Sequence, residues 1–222
     1  MIDAVIFDCD GVLVDSEVLA VEVEMSMLAD IGLLYDVALF KARFMGMSDA
    51  AFFGELDRDS RERLGIPLPG DFAKNCRERL YREVGTRLVE IDGAEKAVAG
   101  LVAKKAVASS STVEKLQIKL TRAGLWHHFA PHIYGADHVA QAKPAPDLFL
   151  HAAAGLGVRP SACLVIEDSV NGVRAGLAAG MRVWGFGGGG HMDAAARERL
   201  ADAGAERVVA NWREAESLFL AL

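Results

Sequence analysis

Cysteine is scarce in this chain of 222 residues: Cys9, Cys76 and Cys163 are odd in number, far apart and without CxxC spacing. Such a set argues against a disulfide framework and fits reduced thiols in a cytoplasmic protein. Positive charge is short too, with 24 Lys and Arg against 31 Asp and Glu and a net charge of −7. At a pI near 5.4 the chain has no general attraction to nucleic acid or anionic lipid. Neither is expected as a partner, and anything anionic must be held by a local device. Apolar runs of the roughly 18 residues a membrane helix needs are missing. The start of the chain is strand-like and acidic, without the basic region and apolar run of a signal peptide. Repeats and low-complexity segments are absent as well. The composition leaves the oligomeric state open, leaning to a monomer.

What the chain does have is apolar substance, 52% of its residues. That is enough for one large domain, or for one domain carrying a smaller one. From residue 90 onward strand and helix patterns alternate. A helical pattern covers Ala94 to Lys104, and Ala106 to Ala108 forms a short apolar run. "STVE" (Ser111 to Glu114) has capping-box spacing before a helix closed by Gly124. Weak strand character at His132–Tyr134 precedes a helix from Pro146 to Ala154. Strands at Cys163–Ile166 and Arg182–Phe186 flank a helix ending near Gly180, and a last helix leads to a short strand at Arg207–Val209. This βαβα order predicts a Rossmann-like parallel sheet with helices on both faces. Residues 16–88 differ, with helical patterns at 16–32, capped by Ser16, and at 37–45, 49–64 and 72–87. The expected organisation is an α/β core of residues 1–15 and 89–222, with residues 16–88 inserted after the first strand as a helical cap. Two connections, near 13–16 and 87–92, would let that cap open and close.

Open parallel sheets bind ligands at the carboxyl ends of their strands. Asp8 and Asp10 follow the first strand, Ser109, Ser110 and Ser111 the second, Lys143 the third, and Glu167 and Asp168 the fourth. Clustered carboxylates call for a cation, and an all-oxygen set suits a hard one such as Mg²⁺. Ser110 and Ser111 are expected to open a helix whose free amides could cradle an anion, with Lys143 adding a point charge. Acid residues at strand ends are often only solvated turns, yet four such elements at one edge describe a phosphate site in an otherwise acidic protein.

"DCDGVLVDS", "ASS", "KPAPDLF" and "EDSVNGV" resemble, in order, the four motifs of the haloacid dehalogenase superfamily. Within it, the chain is similar to the β-phosphoglucomutase-like phosphatases, which carry a helical cap after the first strand. The resemblance implies a Mg²⁺-dependent phosphatase acting on a small phosphate ester such as a sugar or sugar-acid phosphate. Asp8 would be the nucleophile, forming an aspartyl-phosphate. Asp10 would protonate the leaving oxygen and later accept a proton from water. Ser109, the Ser110 amide and Lys143 would hold the phosphoryl oxygens. Asp8, the Asp10 carbonyl and Asp168 would hold the metal, with Glu167 beside it or bound through water. Asp10 and the Glu167–Asp168 pair favour this chemistry over carbon–halogen cleavage.

Substrate choice would fall to the cap. "RFMGMSD" (Arg43 to Asp49) stands where relatives place a recognition loop, making Arg43 and Ser48 substrate candidates, with Glu17 a further one. The alternative of a phosphosugar mutase is weakened because that enzyme has an arginine where this chain has Asp49 and a histidine where it has Ala20. A non-enzymatic binding module would be expected to lack an acid or Lys143, and none is missing. Other motifs read as ordinary structure. "GFGGGG" (Gly185 to Gly190) matches a dinucleotide loop, but the next strand ends without the ribose-binding acid. Alternation turns Cys9 away from Asp8 and Asp10. The histidines of "HHFAPH" read as surface or loop residues, and Arg77, Arg79 and Arg82 as a solvated helix face.

Overall fold

A computed structural model describes residues 2–45, 47 and 49–219. Six strands form one sheet: β1 (Ala4–Phe7), β2 (Lys104–Ala108), β3 (Ile133–Tyr134), β4 (Cys163–Glu167), β5 (Arg182–Phe186) and β6 (Arg207–Val209). Their order is β3-β2-β1-β4-β5-β6 and every pairing is parallel. This is the expected Rossmann-like α/β core. The chain fills one side of the sheet from β1 to β3 and then returns to β1 to build the other side with β4. That reversal, between β1 and β4, is where parallel sheets open a crevice for ligands. In register, Phe7 stands opposite Val107 on one side and Ile166 on the other. The residues that follow these three strands therefore emerge together.

β1 and β4 are buried along their whole length, which explains the apolar runs Ala4–Phe7 and Cys163–Ile166, the latter followed by buried Glu167. Alternation divides the two faces of β1. Ala4 and Ile6 join Ala106, Ala108, Val165 and Phe149 in one core layer. On the other face Phe7 meets Phe129 and Trp212 at ring-centroid distances of 5.6 and 5.9 Å. The Trp212 indole N–H donates to the Val12 carbonyl at 3.0 Å and so anchors the turn after β1. Around the sheet lie α5 (Ala94–Gly100), α6 (Val113–Arg122), α7 (Trp126–Phe129), α8 (Asp147–Leu156), α9 (Val170–Ala178), α10 (Ala194–Asp202) and α11 (Trp212–Phe219).

The chain separates into two compact units, residues 1–16 with 88–222, and residues 17–87. The second unit is built on α1 (Ser16–Asp30), α2 (Val37–Phe44), α3 (Asp49–Leu64) and α4 (Phe72–Arg87). Its interior is aromatic: Phe40, Phe44, Phe52 and Phe72 pack with Leu28, Leu33 and Leu56. Edge-on pairs such as Phe44–Phe52, at 5.5 Å and 87°, give it a specific geometry. In the sheet unit the outgoing and returning segments lie side by side. Val14 forms an antiparallel bridge with Glu90, and the Ile91 amide donates to the Leu13 carbonyl at 2.9 Å.

Two expected helix starts are corrected. Ser16 does not cap α1 but is its first residue, and its hydroxyl donates to Asp10. Nor do Ser110 and Ser111 open a helix, because α6 begins at Val113 with Thr112 at the N-cap and no side-chain cap there. The Val113 amide donates instead to Asp137 Oδ1 at 3.1 Å, a carboxylate from the segment after β3. A long-range cap has replaced the local capping box.

Candidate active site

The β1 backbone continues one residue into the site: the Asp8 amide donates to the Ile166 carbonyl at 3.0 Å, fixing where the Asp8 side chain starts. Asp8 is 7% exposed. Lys143 Nζ donates to Asp8 Oδ1 at 2.6 Å, to Glu167 Oε1 at 2.7 Å and to the Ala108 carbonyl at 2.9 Å. The ammonium thus directs its three protons at groups at the carboxyl ends of β1, β2 and β4. Beneath it the Phe149 ring lies 4.7 Å away, a favourable face for a cation. Burial pushes the Asp8 carboxyl well above the usual carboxylate range; Lys143 pulls it down, and Glu167 and Asp168 push it up again. Burial also works against the Lys143 charge, but Asp8 and Glu167 outweigh it and raise the ammonium above its ordinary value.

Glu167 is 1% exposed. Its second oxygen accepts from the Ser169 amide and hydroxyl, both at 2.9 Å, and Ser169 also caps α9 by accepting from the Gly172 amide. A side chain at position 172 would overlap the Glu167 carboxylate, so a glycine is needed there. Asp168 faces His191, whose Nε2 lies 3.0 Å from Asp168 Oδ2. Burial raises Asp168 to about 6, with His191 opposing and Glu167 adding to the rise. Gly11, at φ +76°, adopts a backbone conformation that L side chains rarely take, and a Cβ there would strike Asp168 and His191.

Asp10 has a different set of partners. Ser16 Oγ donates to its Oδ1 at 2.5 Å and Ser111 Oγ to its Oδ2 at 3.1 Å. Lys119, from α6, donates to Oδ1 at 2.5 Å and to Oδ2 at 2.6 Å. Burial alone would raise the Asp10 carboxyl, but Lys119 and the two hydroxyls overcome it and hold the group below its usual range. Ser109 is buried, and its hydroxyl accepts from the Ser111 amide at 3.2 Å, while Ser110 is exposed. The donor set fits a hard cation: Asp8 and Glu167 are buried and Asp168 is partly so, and burial first, then repulsion among these acids, raises Asp8 and Asp168, a condition a divalent ion relieves.

The candidates of the helical unit stand otherwise. Arg43 is engaged within that unit, with Nη1 2.6 Å and Nη2 2.7 Å from the Asp59 carboxylate and Nη2 3.0 Å from Glu55. Its guanidinium ties α2 to α3. Glu17 is exposed in the first turn of α1, and Ser48 lies outside the described residues. Burial, then Glu17 and Asp49, push the Glu24 carboxyl up to about 7. The arginines of α4 are more engaged than a solvated face implies. Arg77 pairs with Asp49 at 3.5 Å, and Arg79 reaches Ser26 at 3.0 Å and Asp30 at 3.5 Å. Cys9 is buried and unpaired, with its thiol pushed up by burial. His127 and His128 lie in α7, where His128 Nε2 is 3.1 Å from Glu95 Oε1, a group separate from the acids at the strand ends.

Lys119, Ser16 and His191 were missed by sequence reasoning. A signal for Lys119 was present: it stands between Leu116 and Leu120, which α6 buries, and a lysine on a buried helix face needs an acid. His191 follows β5, so the strand-end rule that selected the other residues also covered it.

The family model of haloacid dehalogenase-like hydrolases matches residues 2–180. Over 190 residues the chain is 32% identical to the 6-phosphogluconate phosphatase of Escherichia coli (strain K12), covering 83% of this chain and 82% of that protein. It is 32% identical over 196 residues to the fructose-1-phosphate phosphatase YqaB of the same organism, covering 79% and 92%. A solved structure of a HAD family hydrolase from Deinococcus radiodurans R1, with bound phosphate and sodium, matches with a TM-score of 0.86 at 34% identity, covering 99% of this chain and 96% of that one.

Proposed function

The chain belongs to the haloacid dehalogenase-like hydrolases and is a phosphoric monoester hydrolase, and from that premise we propose that it cleaves small phosphorylated sugars or sugar acids through a phosphorylated Asp8, with Mg²⁺ as cofactor. The observation that carries this reading is the division of labour at the ends of the central strands. Asp8 is bound to a buried lysine shared with Glu167, while Asp10, two residues on, is held apart by its own partners.

An Asp8 carboxylate oxygen attacks phosphorus in line with the leaving oxygen, and the P–O bond to the leaving group breaks as the Asp8–phosphorus bond forms. Asp10 gives its proton to the departing alkoxide. Water then attacks the phosphorus of the aspartyl-phosphate, Asp10 takes the proton from that water, and Asp8 is released with inorganic phosphate. The proton gained in the second step is the one spent in the next first step. Lys143 orients Asp8, and its charge together with the Ser109 hydroxyl and Ser110 amide meets the phosphoryl oxygens. Asp8, Asp168, the Asp10 carbonyl and Glu167 would hold Mg²⁺, which supplies charge neutralisation for the phosphoryl group when bound.

The helical unit is proposed as the cap that selects substrate. Named relatives act on 6-phosphogluconate and fructose-1-phosphate, which sets the substrate class to be screened. Phosphate release from p-nitrophenyl phosphate and from a panel of phosphorylated sugars and sugar acids, with and without Mg²⁺, tests the proposal in wild type and Asp8→Asn. Turnover that depends on Mg²⁺ and falls at least about 1,000-fold in Asp8→Asn is expected. Equal turnover in the two proteins would remove Asp8 as nucleophile.

A further inference from the structure

We propose that Lys119 is a positioning residue for Asp10, fixing the carboxylate that exchanges a proton with the leaving oxygen; the inference rests on the role of Asp10 given above. Lys119 Nζ donates to Asp10 Oδ1 at 2.5 Å, to Asp10 Oδ2 at 2.6 Å and to Ser111 Oγ at 3.1 Å. All three ammonium protons are directed at this one carboxylate or at the hydroxyl that itself donates to it. Ser16 completes the set by donating to Oδ1. Asp10 is thereby held from three places: the first residue of α1, the segment after β2, and the second turn of α6.

Only the last of these is both charged and rigid. α6 is anchored by Leu116 and Leu120, both 0% exposed, and its first amide is capped by Asp137. A group carried on a packed helix holds its geometry better than one on a loop. The Lys119 side chain is 13% exposed, so it is placed among protein groups rather than waving in water. Contact with both carboxylate oxygens fixes the plane of Asp10 as well as its direction. Proton transfer to a leaving group requires that alignment. Lys119 lies outside the four motifs, and its side chain makes no contact with Asp8, Glu167 or Asp168 among the hydrogen bonds and ion pairs of the described residues.

The test separates positioning of an acid from general damage to the fold. kcat/KM, which reports the steps through phosphoryl transfer to Asp8, is measured for a series of phosphate esters from alkyl phosphates to 2,4-dinitrophenyl phosphate. A poor leaving group needs its proton and a good one does not. In Lys119→Met the loss should be about 30-fold or more for alkyl phosphates and should shrink to within about 3-fold for the dinitrophenyl ester. Lys119→Arg, which keeps the charge and the donors, should recover part of the alkyl-phosphate rate. In Asp10→Asn the leaving-group slope should be as steep, and adding Lys119→Met to it should cause little further loss, since both changes disable one function. That double variant also removes the charge pair as a whole, so it remains testable if Lys119→Met alone fails to fold.

An equal fall across all esters in Lys119→Met, or losses that simply add in the double variant, would overturn the positioning role. An unchanged slope would do the same. Failure of the wild type to hydrolyse any ester, or an Asp8→Asn variant as active as wild type, would instead strike the underlying phosphatase mechanism.

Discussion

Asp8 and Asp10 are two residues apart, both held by a lysine, and are driven in opposite directions. Lys143 is shared: it contacts Asp8 and Glu167 at 2.6 and 2.7 Å, with Asp168 close enough to add repulsion. Burial wins there, and Asp8 is raised. Lys119 serves a single carboxylate, with two hydroxyls assisting, and Asp10 is lowered. A cation divided between acids leaves part of the repulsion in place, and the remainder favours the arrival of further positive charge. A cation given wholly to one acid settles that acid and leaves nothing for a metal to correct. The difference places the proposed nucleophile where further positive charge is favoured and gives the proposed proton carrier a cation of its own.

The sharpest way to break the comparison is to remove each lysine in turn. Lys143→Met leaves Asp8 and Glu167 buried without compensation. Turnover should fall by at least about 1,000-fold, and unfolding in urea should show a loss of about 3–5 kcal/mol. Lys119→Met should cost less stability, about 1–2 kcal/mol in the same titration, because the Asp10 side chain is 24% exposed and keeps two hydroxyl partners. A larger stability loss at position 119 than at 143 would invert the comparison. Comparable in size is Gly172→Ala, which presses a methyl group into the Glu167 carboxylate. It should cost about 1–3 kcal/mol and weaken Mg²⁺ activation, read as a higher Mg²⁺ concentration for half-maximal rate.

The smallest effect concerns an acid that burial and other acids raise. Glu24 sits near 7 through burial, Glu17 and Asp49. The folded protein therefore keeps a proton there that the unfolded chain, with an ordinary carboxyl near 4.5, gives up. Stability is untouched by Glu24 below about pH 4.5, falls as pH rises from there to about 7, and stays reduced above. Glu24→Gln should accordingly stabilise by roughly 1–2 kcal/mol at pH 8 and change nothing at pH 4, in urea midpoints compared at the two pH values. A stabilisation that is the same at both would show that charge is not the cause.

Much of this frame is legible from local sequence. Strands buried on both faces advertise themselves as apolar runs, Ala4–Phe7 in β1 and Cys163–Ile166 in β4. The four helices of residues 17–87 follow from spacing and from Gly32 and Gly65 at their ends. Asp8, Lys143 and Glu167 are legible because a parallel sheet gathers strand ends, whatever the distance between them in the chain. The partners of Asp10 are not, since Lys119 is 109 residues away and lies inside a helix rather than at a strand end. The same holds for the start of α6, where Asp137 caps the Val113 amide across 24 residues. A local motif at Ser111–Glu114 suggested a capping box, and tertiary packing supplied a different acceptor.

The bridge between Val14 and Glu90 has a consequence of its own. It clamps the two ends of the helical segment at the spacing of neighbouring strands, roughly 5 Å. To the sheet, residues 17–87 are then a closed loop whose mouth is already sewn. The entropy of closing a loop grows only slowly with its length, so what hangs from that mouth can be lengthened, shortened or exchanged with little strain on the strands beneath. A single pair of backbone segments thus makes the helical segment an interchangeable part, and the acids at the strand ends a fixed tool to which different parts can be fitted.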